Sequence, residues 1–156
     1  MKPIYIIVPA ILLLGWLSGA VAGSTETNAW YAALAKPALQ PPGITFGIVW
    51  SILYALMGVA LARVIAAPRH RQRPRALAWF GIQLAMNLGW SSLFFRFHLI
   101  EMAFYLILAI LAAALWTTWL FDRIDRTAAR LMAPYLVWLS FAAGLAYRTW
   151  QLNPLG

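Results

Sequence analysis

The residues with the most distinctive side-chain chemistry fall on three helical faces. Phe46, Trp50, Tyr54 and Met57 recur at i, i+4, i+8 and i+11, a spacing that puts side chains on one side of an α-helix. Gln83, Asn87, Trp90, Ser91 and Phe94 share a second face, and Pro134, Tyr135, Trp138, Ala142 and Leu145 a third. Indoles and phenols can stack on a flat apolar body while a carboxamide gives it a hydrogen bond, which suits an aromatic-lined binding cavity. The same groups can simply join helix to helix, each such bond in a membrane contributing about 0.6 kcal/mol on average. Periodicity leaves a ligand cavity and a packed interior as equal alternatives.

Other chemistries are excluded by what the chain lacks. It has no cysteine, hence no disulfide or thiolate. Its two histidines, His70 and His98, lie between apolar runs in polar connections, and no metal-ligand spacing is present. Haem ligation by a mid-membrane histidine is therefore not expected. Neither a proton-relaying acid within an apolar run nor a nucleophile–base pair nor a glycine-rich phosphate loop occurs. No catalytic residue, metal or required cofactor is assigned.

The elements that must position the three faces are membrane helices. Apolar residues make up 63% of the chain and charged ones 10%, where a soluble domain carries about 45–50% and about 25%. Four acids and twelve bases cannot cover a soluble surface of this size. The net charge of +8 does not point to nucleic acid, because the basic residues sit between apolar runs and form no stripe along a helix. Crossing about 30 Å of hydrocarbon takes about 20 mostly apolar residues. Five runs meet that length: 3–23, 44–67, 76–95, 100–121 and 131–150. The expected fold class is an all-α integral membrane protein, a single five-helix transmembrane domain over residues 1–156. Arg63, Glu101 and Arg148 lie near run ends, where their side chains can snorkel to the interface.

Lys2 and the triplet Ala20-Val21-Ala22 give the first run some likeness to a signal peptide, but it is long for one and is read as a helix. Gly15, Gly19 and Gly23 fall on one face of it, suited to close helix packing within the bundle or across a dimer. The connection 24–43 is long enough for a lid or binding loop. Trp30, Tyr31 and Leu34 are spaced for a short amphipathic turn, while Pro37, Pro41 and Pro42, with Lys36, stiffen the rest. That segment can equally lie on the membrane interface, with Trp30 and Tyr31 as anchors. Trp79, Trp116, Trp119 and Trp150 fall towards segment ends and read as interface residues. Five crossings put Lys2, Arg63, Arg69, Arg71, Arg73, Arg75, Arg123, Arg126 and Arg130 on one side, against Lys36, Arg96 and Arg148 on the other. The positive-inside rule then predicts a cytoplasmic N-terminus and an outward C-terminus. The run Arg69 to Arg75 is read as a topological signal, with anionic lipid heads as its other use.

At these residues the chain resembles the TspO/MBR family, the tryptophan-rich sensory and translocator (peripheral-type benzodiazepine receptor) proteins. The resemblance rests on Trp30-Tyr31, Leu34, Lys36-Pro37, Pro41-Pro42, Phe46, Trp50, Leu53-Tyr54 and Met57. It continues through Gln83-Leu84, Asn87, Trp90-Ser91 and Phe94-Phe95, then Pro134-Tyr135, Trp138, Phe141-Ala142 and Leu145. It implies a five-helix bundle enclosing a pocket under the first loop, and a receptor or sensor for porphyrins, sterols or benzodiazepine-type compounds. The pocket so implied takes Phe46, Trp50, Tyr54, Asn87, Trp90, Trp138, Phe141, Ala142 and Leu145. Metal-free protoporphyrin suits the chain better than haem, because no histidine is placed to ligate iron. The resemblance also implies a homodimer. It leaves open transport of the ligand across the membrane, and light-dependent porphyrin breakdown with Trp50 and Trp138 as redox partners. Four positions depart from the pattern: Leu39 replaces an aromatic, Ile44 a tryptophan, Ala146 an asparagine and Gln151 a basic residue. The last breaks the linear cholesterol-recognition segment, since Tyr147 is followed directly by Arg148. A reversed version, Arg130 to Tyr135 to Val137, is a weak pattern.

Overall fold

The structure, a computed structural model, describes residues 2–154. The described chain is helical: α1 (Ile4–Ala22), α2 (Ala29–Ala33), α3 (Gly43–Ala66), α4 (Arg73–Ser91), α5 (Ile100–Asp122) and α6 (Arg126–Leu152). α4 runs on into a π-helical turn, Ser92–Arg96, closed by Phe97 N–H donating to the Ser92 carbonyl at 3.0 Å. The bundle is that of a multi-pass integral membrane protein.

Four of the helices, α1, α3, α5 and α6, are long and apolar enough to cross a membrane by themselves. The remaining run expected from the sequence, 76–95, now in α4, falls short on hydropathy. Arg73 and Arg75 open it, and Gln83 and Asn87 lie within it. The helix starts differ from the apolar runs for local reasons. α4 begins at Arg73, because Pro74 fits a first turn, where the missing N–H costs nothing. α6 begins at Arg126 and not at Leu131, because the Asp125 carboxylate caps it by accepting from Ala128 N–H at 2.9 Å. α1 ends at Gly23, whose φ of 69° few other residues adopt. Gly23 N–H returns to the Ala20 carbonyl and Ser24 N–H to Gly19, closing the end.

The long helices touch in a closed ring, α1 to α3 to α6 to α5 to α4 and back to α1. One end of the ring is solid. Met57, Val64, Ala76, Phe121, Leu120, Ala128 and Met132 are fully buried there, and Phe80 stacks on Phe121 with ring centroids 5.8 Å apart. Gly58 lets α1 approach, since a Cβ there would lie 2.9 Å from the Val8 Cα. The Arg63–Asp125 ion pair, 2.9 Å long, ties α3 to the start of α6 at this end. The other end carries the 24–42 connection, the turn at His98 and the C-terminus of α6. Asn153 holds Ala35 by two hydrogen bonds of 2.8 and 3.0 Å, and Trp30 stacks on His98 at 4.1 Å. This end is hollow.

Candidate functional site

The hollow is a cavity of about 460 Å³ walled by all five long helices and roofed by the 24–42 connection. That volume lies within the about 300–1,000 Å³ typical of small-molecule sites. Helical spacing accounts for its walls. α3 supplies Gly43, Phe46, Gly47, Trp50 and Tyr54; α4 supplies Asn87, Trp90 and Ser91, and Phe94 and Phe95 follow from the π turn. α6 contributes Leu139, Ala142, Leu145, Ala146 and Thr149, and α5 adds Ile107 and Ile110. Each set repeats every three or four residues, so each presents one helical face.

The floor is polar and connected. Tyr54 O–H donates to Asn87 Oδ1 at 2.8 Å, Asn87 Nδ2 donates to the Tyr135 oxygen at 3.0 Å, and Tyr135 O–H donates to Gln83 Oε1 at 2.8 Å. Gln83 Nε2 ends the chain 4.0 Å from the Met57 sulfur. All four hydrogen-bonding residues are buried. The chain joins α3, α4 and α6 and hides two carboxamides from lipid. Of these groups, Tyr54 and Asn87 reach the cavity. A carboxamide has two N–H donors, and Asn87 uses one on Tyr135. Its second N–H has no protein acceptor among the described residues.

The aromatic walls are braced from behind. Trp90 is fixed by its indole N–H on the Ala103 carbonyl, 2.9 Å, and stacks on Phe94 at 5.1 Å. Trp50 packs on Tyr54 and against the edge of Tyr135. Gly15 makes room on α1: a Cβ there would lie 2.2 Å from the Tyr54 ring. Gly19 also lines the cavity, whereas Gly23 ends the helix. Of the three glycines that share a face in sequence, two therefore line the cavity and the third ends the helix.

At the mouth, Glu26 accepts from Gly43 N–H at 2.7 Å, joining the 24–42 connection to the start of α3. The Lys36 ammonium donates to the Tyr31 and Ala32 carbonyls and lies over the Tyr31 ring. Gln40 Nε2 donates to the Tyr31 hydroxyl at 3.0 Å. Burial, with a smaller push from the Glu26 carboxylate, raises the Tyr31 pKa above the usual phenol value despite that bond. Tyr31 therefore stays neutral at the mouth.

Seven of the nine pocket residues implied by the resemblance line this cavity: Phe46, Trp50, Tyr54, Asn87, Trp90, Ala142 and Leu145. Trp138 and Phe141 do not. Trp138 lies behind Phe46, edge to face at 5.6 Å, and its indole N–H is enclosed without an acceptor. Phe141 packs on Trp138 and is partly exposed on the outer face. Of the roof residues, Lys36 lines the cavity along with Tyr31, Leu34 and Gln40. Trp30 instead packs on Phe94 and His98. Pro37 accepts from Gln40 N–H to close a turn, and Pro41 and Pro42 lead straight into α3. Leu39 and Ile44 point outward, 77% and 74% exposed. Gln151 is held outside by Arg148 and Tyr147. Only Ala146, of the four departures, changes the cavity wall.

Leu139 and Thr149, and the face of α5 that carries Ile107 and Ile110, escaped sequence reading. α5 is apolar all round, so no contrast marks its inward side. Among the described residues, no three histidines, cysteines, aspartates or glutamates come together as a metal site.

Comparison with known proteins identifies the family. The model of the TspO/MBR family matches residues 6–151. The chain is 36% identical to the tryptophan-rich protein TspO of Chlorobaculum tepidum over 85% of its length and 87% of that protein's. It is 34% identical to the human translocator protein over 90% of its length and 84% of that protein's. It is 31% identical to protein CrtK of Rhodobacter capsulatus over 88% and 86% of the two chains. The chain belongs to the TspO/MBR family, and that membership supports a general ligand-binding or sensory role.

Proposed function

From this membership we propose that the protein is a membrane receptor that binds a protoporphyrin-type tetrapyrrole, or another flat apolar molecule, in the cavity. The observation that carries the reading is the cavity itself, with aromatic walls from Trp50, Trp90 and Phe46 above a floor where one Asn87 N–H has no protein acceptor. Such a site takes a flat ring by stacking and orients it by one or two polar contacts. A sterol or benzodiazepine-type compound meets the same walls.

In this reading α4 and its π turn complete a fifth crossing. Residues 73–96 are long enough for it, and the residues that lower its hydropathy, Gln83 and Asn87, face inward. The 24–42 connection acts as a lid. The packed end, rich in arginine, faces the cytoplasm by the positive-inside rule, which places the cavity towards the outer side. A homodimer, expected from the resemblance, would use outward positions of α1 such as Leu13, Leu17 and Val21, since Tyr54 covers Gly15.

We rank binding ahead of catalysis. Of the two indoles that a bound photosensitiser could oxidise, Trp50 lines the cavity while Trp138 stands one ring behind it. The test is titration of purified protein with protoporphyrin in the dark, read by tryptophan quenching, on wild type, Trp50→Leu, Asn87→Ala and a remote control, Trp116→Phe. Saturable binding weakened in the first two variants alone supports the reading. Equal unsaturable quenching in all four means that porphyrin only partitions into the micelle. Transport is separated from sensing by ligand flux in proteoliposomes.

A further inference from the structure

Apart from the cavity, a second cluster of side chains stands at the packed end, on the outer seam between α4 and α5. Trp116 and Trp119 stack there, centroids 4.8 Å apart and planes 17° from parallel. The Arg75 guanidinium lies 5.8 Å from the centre of the Trp116 ring and that of Arg123 4.7 Å from the Trp119 ring. Each cation is therefore held in place by an indole face. Neither donates a hydrogen bond or joins an ion pair among the described residues. Among the described residues none of the four side-chain carboxylates is paired with them. Asp125 is paired with Arg63 and Asp122 lies near Arg126, while Glu26 and Glu101, the other two acids, belong to the opposite end.

The apolar surface leading to the cluster is lipid-shaped. Along α5, Leu108, Ala112, Leu115, Trp116 and Trp119 form one exposed stripe that ends at Arg123. From Leu108 to Trp119 the stripe rises about 16 Å at 1.5 Å per residue, about half the hydrocarbon thickness of a bilayer. It thus matches one acyl chain in one leaflet, with the indoles at the headgroup boundary and the guanidiniums beyond it. A free anion would use the guanidiniums and have no use for the stripe.

We propose that this seam is a binding site for an anionic glycerophospholipid, its phosphate at Arg75 and Arg123 and its chain along α5. The site does not depend on the cavity or on what the cavity binds. It is tested by native mass spectrometry of the full chain, released from micelles or nanodiscs containing equal phosphatidylglycerol and phosphatidylcholine. Wild type is expected to retain phosphatidylglycerol preferentially, and the preference to fall about fivefold for each of Arg75→Gln and Arg123→Gln. Trp116→Leu with Trp119→Leu should lower it too, by freeing the guanidiniums. The control pair Arg69→Gln with Arg71→Gln removes twice the charge of either single variant from the same end and should still keep most of the preference. Circular dichroism and thermal melts check that each variant is folded. The proposal is overturned if wild type shows no preference, if the control pair loses as much as Arg75 and Arg123 do, or if millimolar inorganic phosphate displaces the lipid.

Discussion

The hydrogen-bonded floor makes a quantitative prediction. Asn87→Leu removes the acceptor of Tyr54 O–H and the donor to the Tyr135 oxygen. At the membrane average of about 0.6 kcal/mol per bond, two lost bonds cost about 1.2 kcal/mol. Tyr54 is only 7% exposed, and a buried donor left unpaired costs about 1–3 kcal/mol. The expected loss is therefore about 1–3 kcal/mol, or roughly 3–10 °C in Tm for a chain of this length. Tyr54→Phe deletes the orphaned hydroxyl. Adding it to Asn87→Leu should thus cost less than the two single effects summed, with a coupling of about 0.5–1.5 kcal/mol. Thermal melts of the four proteins in one detergent measure this cycle. Strict additivity would mean that the two groups do not share a bond, and the floor as described would be wrong. The same four proteins titrated with protoporphyrin separate roles: under the proposed reading Tyr54→Phe should bind nearly as well as wild type, whereas Asn87→Leu, which removes the second Asn87 N–H, should bind more weakly.

Three further outcomes follow from local geometry. Gly15→Ala places a methyl 2.2 Å from the Tyr54 ring and should destabilise by about 1–3 kcal/mol through overpacking, whereas Gly47→Ala, with open space at its Cβ position, should leave Tm unchanged in the same melts. Asn153→Ala cuts the tie to Ala35, so stopped-flow quenching should show faster ligand uptake and release; unchanged rates would mean that the 24–42 connection does not gate the cavity. For Asp125, burial pushes the carboxyl pKa up, but the Ala128 and Thr127 N–H groups and Arg63 outweigh it and hold the value below the usual carboxylate range. A lowered folded-state pKa contributes stability above the unfolded value that is lost as pH falls through the folded one. The wild-type Tm should therefore drop more steeply than that of Asp125→Asn from about pH 5 downward, and parallel curves would refute the pairing.

The membrane class and the three polar or aromatic faces were readable because composition and 3.6-residue periodicity survive in any single sequence. Gln83 and Asn87 illustrate this: a mid-helix carboxamide must find protein, and both are buried. The same two residues, with Arg73 and Arg75, hide α4 from a hydropathy criterion. Trp138 shows the limit of spacing. It lies about one residue's rotation, 100°, from Leu139 on α6, and that step moves its ring from the cavity wall to the layer behind Phe46. Faces drawn from periodicity are wide enough to contain both places. Gly15 was legible as a close approach, but its neighbour is a side chain of the same bundle, and spacing carries no information about which partner approaches.

The division of the bundle into a packed and a hollow end follows from where its large side chains are anchored. At the packed end Met57, Met132 and the stacked Phe80–Phe121 pair fill the axis. At the other end the large rings are held against the walls: Trp90 by the Ala103 carbonyl, Trp50 by Tyr54 and Tyr135. The space they leave is lined by Gly15, Gly19, Gly47, Ala142 and Ala146, none of which can reach across it. The Tyr54–Asn87–Tyr135–Gln83 chain lies between the two regions, its first two members open to the cavity and its last reaching Met57 in the packed core. A ligand that takes an Asn87 hydrogen bond therefore acts on groups bonded into α3, α4 and α6 together. In the proposed reading that linkage is the route by which cavity occupancy would reach the packed half of the bundle.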